Sequence, residues 1–228
     1  MRARLFHRTP WLMAVFIVIA GISLDFGVKV WAQKTLQNEH FIQNQAHFPA
    51  CTDIHAEARR SWFTENNATP IVLIPKMLQL RYTENCGSSF RLLDRISEGI
   101  RFPFLIFIGI LACVAIPLIY LRVPQTQQYL RLSLPLILSG AVGNLIDRIH
   151  YRYVVDFIDC FVVFRGKAYH WPTFNIADAL ILTGLGLMVL HLYRESTATP
   201  KTADALPPET QSSAPDSAPK PVNKDLLK

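Results

Sequence analysis

The chain has 228 residues, 23 Lys and Arg against 17 Asp and Glu, only 18% charged residues and 50% hydrophobic ones, with a mean hydropathy of +0.22. This is too apolar for an ordinary soluble domain or a disordered chain, and four cysteines make no disulfide framework. The net charge of +6 is scattered between long apolar runs and forms no stripe that could track phosphates, so nucleic acid is not an expected partner and a membrane protein remains.

A helix needs about 20 apolar residues to cross a hydrocarbon core of roughly 30 Å, and four segments approach that length: 11–31, 102–121, 130–149 and 174–193. The expected organisation is a cytoplasmic N-terminus over 1–10, a four-span body over 11–194 and a tail over 195–228. In the first span, the uncharged run Trp11 to Leu24 is followed by Asp25 and Lys29, four apart and on one helix face. Its basic start also fits a signal peptide, but no convincing small-x-small cleavage site is present and the apolar run resumes at Val28, Val30 and Trp31, so a retained span is favoured.

Between spans one and two lie residues 33–98, too long for a bare loop. Residues 71–74 (IVLI) and 78–82 (LQLRY) are predicted to be short strands of a small sheet on the outer membrane surface, followed by a turn at Asn85-Cys86-Gly87. Cys51 and Cys86 could form a disulfide there or remain free thiols, because spacing alone fixes no geometry. The sequon at Asn67 is read as chance. The second span carries no charge, and its Pro117 is tolerable in a membrane helix. After Arg194 the composition turns to Pro, Ala, Ser, Thr and Lys, which predicts a disordered tail.

Orientation follows from the basic flanks. Arg2, Arg4 and Arg8 precede span one, Arg122 and Arg131 bracket the second connection, and Arg194 follows span four, so both termini are expected in the cytoplasm. The connections 33–98 and 150–172 then face outward.

Ionisable groups in spans are expensive and default to functional candidates. Span three ends in Gly140-Ala-Val-Gly143-Asn144-Leu-Ile-Asp147-Arg148, with Gly140, Asn144 and Arg148 on one stripe. Helix packing explains the glycines better than it explains Asn, Asp and Arg together. Next comes Val154-Val155-Asp156-Phe157-Ile158-Asp159, which could also be an interfacial strand with solvated acids. Span four opens with Phe174-Asn175-Ile-Ala-Asp178, where Asn175 could cap the helix and Asp178 could serve the cap or catalysis. Antiparallel spans bring Asp156 and Asp178 to one membrane face. Two carboxylates held close share a proton, which supplies one acid and one base near neutral pH. The histidines, including His40, His47, His55, His150 and His170, form no H-E-x-x-H, no G-x-S-x-G is present, and Ser139, Lys29 and Cys160 make no evident nucleophile arrangement. No metal or cofactor is expected.

Gly143-Asn144-Leu-Ile-Asp147-Arg148, Val155-Asp156-Phe157-Ile158 and Phe174-Asn175-Ile-Ala177-Asp178 together resemble the lipoprotein signal peptidase (signal peptidase II) family, and Asp25-x-x-x-Lys29 and Asn85-x-Gly87 resemble its two weaker motifs. The resemblance covers about residues 10–194. It departs at Phe26, where the family usually has Gln, around Cys86, and in the long connection before Asn85. It implies an all-α, four-span aspartic endopeptidase of the bacterial inner membrane with a small extracytoplasmic sheet. The implied reaction removes signal peptides from lipid-modified prolipoproteins, just before the diacylglyceryl cysteine. Asp156 and Asp178 match the catalytic pair; Asn144, Arg148 and Asn175 match substrate-site residues, and Asp25, Lys29 and Asn85 match supporting ones. A monomer among membrane lipids is the expected state. The alternatives are a non-enzymatic membrane protein whose charges are buried ion pairs, and an inactive relative that only binds precursors.

Overall fold

The computed structural model describes residues 9–37, 70–87 and 97–198. The expectations for residues 1–8, Cys51, Asn67, most of the 33–98 connection and the tail beyond 198 fall outside these. The described elements are α1 (Thr9–Leu36), β1 (Ile71–Ile74), β2 (Leu78–Asn85), α2 (Glu98–Arg122), α3 (Gln128–Tyr151), β3 (Val154–Phe164), β4 (Lys167–His170) and α4 (Ile176–Ala198). All four helices are long and apolar enough to cross a membrane. They overrun the predicted spans at most of their ends, since intrahelical hydrogen bonding continues past the hydrocarbon boundary; α4 alone starts two residues late, and its last turns take up Glu195 to Ala198 from the expected tail.

α3 is the central helix and packs against α1, α2 and α4. It is the least apolar of the four. The contrast has a physical reason: lipid-facing surface must be apolar, whereas a helix enclosed by others can carry polar groups that find partners. Accordingly Phe16, Ile19, Phe107, Leu121, Leu182 and Val189 are exposed on the outer faces, while Asn144 and Asp147 are buried. Close approach of the helices depends on glycine. A Cβ at Gly140 would stand 2.2 Å from the Ala177 carbonyl oxygen and one at Gly143 2.5 Å from Asp25 Oδ2, so the packing expected of these two glycines is what they do.

The sheet is larger than expected. Its order is β1-β2-β3-β4, all antiparallel, so half its strands come from the connection between α3 and α4. β1 and β2 match the predicted strands, with β2 running on to Asn85. Phe174, two residues before α4, is laced to β3 by Ile158 N–H to Phe174 O (2.9 Å) and Phe174 N–H to Ile158 O (3.1 Å). That pairing sets the start of α4 beside Asp156. Ala32 and Leu36 of α1 pack with Tyr82, Tyr153, Val155 and Phe157 to join the sheet to the bundle. Cys86, beside this core, is disulfide-bonded, and Cys113 and Cys160 are free thiols.

At the opposite end, Arg131 donates from Nη1 to the Val123 carbonyl (2.8 Å) and from Nη2 to the Tyr120 hydroxyl (3.0 Å). These bonds seal the turn between α2 and α3.

Candidate active site

Every sequence-predicted site residue converges where α1, α3 and α4 meet β2 and β3. Asp156, the third residue of β3, is 1% exposed. Its Oδ1 accepts from Asn175 Nδ2 at 2.7 Å and its Oδ2 from Asn85 Nδ2 at 2.8 Å. Asp178, in the first turn of α4 and half-buried, accepts from Asn144 Nδ2 at 2.9 Å.

Asn175 caps α4 as the sequence suggested and also reaches Asp156. Its Oδ1 accepts the Asp178 N–H at 3.0 Å, the expected cap, while its Nδ2 faces Asp156, the Val155 carbonyl and Asn144 Oδ1. The two asparagines thus hold one aspartate each. Asn144 Oδ1 faces the ammonium of Lys29 at 3.2 Å; a lysine has no acceptor, so this contact fixes which end of the Asn144 amide points at Asp178.

Lys29 is 2% exposed and lies 2.7 Å from Asp25 Oδ2 and 2.9 Å from Asp147 Oδ2. Each carboxylate also fixes a backbone group, Asp25 accepting the Ala177 N–H (2.9 Å) and Asp147 the Val155 N–H (3.1 Å). The cluster therefore clamps the first turn of α4 and the start of β3, the two segments that carry Asp178 and Asp156. Asp147 was legible only as a polar neighbour of the stripe, because its partners lie on other elements.

Arg148 donates to the Asn144 carbonyl (3.2 Å) and to the Gly87 carbonyl (3.3 Å), and its charge interacts with those of Asp178, Asp156 and Asp147. Gly87 is positioned by its own N–H, which donates to Asn85 Oδ1 at 3.0 Å. The predicted Asn85 turn is thereby joined to both Asp156 and Arg148.

Asp156 lies outside the spans, and its carboxyl is held well above the usual carboxylate range. Burial is the main cause and the Asp178 charge the second; the Asn85 and Asn175 donors and Lys29 oppose them without prevailing. Asp159 is not a solvated acid. It is fully buried, accepting from Gln79 Nε2 at 2.7 Å and facing His170 Nδ1 at 2.9 Å.

The sequence that builds this buried polar cluster matches a known family. The model of the family described as signal peptidase (SPase) II matches residues 17–194. The chain belongs to the signal peptidase II family. It is 31% identical over 183 residues to the lipoprotein signal peptidase of Clostridium novyi (strain NT), covering 80% of this chain and 99% of that one. To the lipoprotein signal peptidase of Clostridium tetani it is 35% identical, covering 80% and 94%. A bacterial membrane enzyme solved by the in meso method at 2.3 Å shares the fold, with a TM-score of 0.58 and 23% identity over 83% of this chain and 93% of that one. The protein is an aspartic-type signal peptidase of a bacterial membrane, acting on prolipoproteins.

Proposed function

We propose that Asp156 and Asp178 are the catalytic pair of this signal peptidase and that cleavage falls just before the diacylglyceryl cysteine. The observation that carries this is the paired suspension of the two carboxylates by Asn175 and Asn144, with Asp156 raised by burial beside Asp178. Asp156 holds the proton and donates it to the scissile carbonyl oxygen. Asp178, at a helix N-terminus that favours an anion and open to water, takes a proton from the attacking water as its oxygen bonds to the carbonyl carbon. The C–N bond then breaks as Asp178 passes its proton to the leaving nitrogen, and the diol hydroxyl returns a proton to Asp156 as the carbonyl re-forms. Asn144 and Asn175 keep each carboxylate in its orientation, Arg148 and the Asn85 turn line the substrate side, and Asp25 and Lys29 support the frame.

Cleavage at the interface leaves the acyl chains of the substrate in the bilayer. Every group used belongs to one chain, and a monomer among membrane lipids is the working form. Both termini are cytoplasmic and the site faces outward, as the basic flanks require. Thiol labelling of intact cells should reach Ala168→Cys from outside and Gln125→Cys only after permeabilisation. The reverse pattern would overturn this orientation.

The proposal is tested by conversion of a diacylglyceryl-modified precursor in liposomes across pH. Folding favours the neutral Asp156, so its contribution to stability is full below the ordinary aspartate value and is lost as pH rises through the raised one. Activity should show an alkaline limb, accompanied by a falling unfolding temperature in the same window. In Asp156→Asn that part of the temperature change should vanish. The limb belongs to the pair as a unit. A flat alkaline profile would contradict Asp156 as the proton donor.

A further inference from the structure

The Phe161 N–H still donates to the Met77 carbonyl at 2.9 Å; beyond it β3 leaves β2 behind and pairs with β4 as a two-stranded hairpin. The register sets Val162 opposite Tyr169 and Phe164 opposite Lys167, and Trp171 N–H donates to the Cys160 carbonyl at 2.7 Å, continuing the same alternation. Residues opposite one another share a face. Val162, Phe164, Tyr169 and Trp171 therefore share one face, with Lys167 at its turn end, and the four are exposed: 58%, 61%, 51% and 58% respectively.

Such a face on an edge hairpin in water invites aggregation. Its chemistry instead fits the bilayer interface, where Trp and Tyr rings collect at headgroup level. The charge is one-sided. Arg165 and Lys167 flank the turn, with Arg165 over the Phe164 ring at 5.3 Å and Lys167 over the Tyr169 ring at 5.6 Å, and no acidic residue occurs between Cys160 and Asn175. The placement agrees. β3 begins three residues after the last residue of α3, and Trp171 precedes the first residue of α4 by five, so both ends of the hairpin are tethered at the membrane boundary. At its base, Asp159 joins Gln79 of β2 to His170 of β4, and Phe161 stacks on His170 at 4.9 Å. The hairpin is thus fixed to the strand that carries Asp156.

We propose that this hairpin is a lipid anchor, seating Val162, Phe164, Tyr169 and Trp171 in the interface while Arg165 and Lys167 bind the phosphates of anionic phospholipids. It requires only that the helices span a bilayer, and is independent of the catalytic assignment and of which side faces outward.

The test uses the full chain in nanodiscs of phosphatidylcholine with or without phosphatidylglycerol, the Trp171 fluorescence being isolated by subtracting a Trp171→Phe variant. Lipids brominated near the headgroup should quench the Trp171 signal, more strongly with phosphatidylglycerol. Arg165→Gln/Lys167→Gln should remove that gain, and so should high salt on the parent protein, which needs no variant. Quenching by aqueous iodide in place of brominated lipid would overturn the proposal. Equal lipid quenching in both compositions would refute the anionic preference. Protection of Trp171 that grows with protein concentration would make the face an interface between copies and refute the anchor.

Discussion

Asp178→Asn and Asp156→Asn are each expected to lower precursor conversion by about 10²- to 10⁴-fold, the range general acid–base groups supply. The double variant should be little worse than either single one, because the two act as one unit. The pair differ in how cleanly they report chemistry. Asp178 accepts an amide hydrogen bond from Asn144 on Oδ1, which an asparagine can still accept through its own oxygen. Asp156 accepts from Asn85 on one oxygen and Asn175 on the other, so Asp156→Asn turns an N–H₂ toward one donor. Some instability is therefore expected in that variant, and its unfolding temperature must be read beside its activity. Asp178→Asn should fold like the parent and still fail to cleave. A well-folded Asp178→Asn with near-parent turnover would sink the dyad mechanism.

Lys29→Met should be the most destabilising single substitution in the polar cluster, at about 3–5 kcal/mol, the cost of leaving buried charges without their partner. It strips the cation from between Asp25 and Asp147 and removes the group facing Asn144 Oδ1. Denaturant unfolding in detergent micelles measures the loss, and conversion should fall with it as the starts of β3 and α4 loosen. Adding Asp25→Asn and Asp147→Asn should recover a large part of the stability. Asparagine can still accept the Ala177 and Val155 N–H groups through its oxygen, while the two uncompensated charges are gone. If Lys29→Met alone unfolds at the parent's denaturant concentration, the cluster is not what holds these segments.

The four spans were legible because the bilayer imposes a local rule: a helix with no water partners must be apolar over a fixed length, and each of the four runs satisfies it by itself. The strand pair 71–74 and 78–82 was legible from short-range alternation, and the asparagine cap of α4 from its N-cap spacing. The motifs in α3, β3 and α4 named the family and both candidate aspartates from residues within a few positions of each other.

The rest depended on contacts between residues far apart in the chain. Lys29 and Asn144 are separated by 115 positions and Asp25 and Ala177 by 152; no local pattern says that one lysine faces two carboxylates and an amide at once. The same holds for the larger sheet, since β3 pairs with β2 across a stretch of chain that includes both α2 and α3, and for Asp159, which looked solvated because its partner Gln79 lies 80 positions away. The raised carboxyl of Asp156 was also decided only in three dimensions. Asp156 and Asp178 are the same chemical group, and it is burial, a property of the packed elements around each, that raises Asp156.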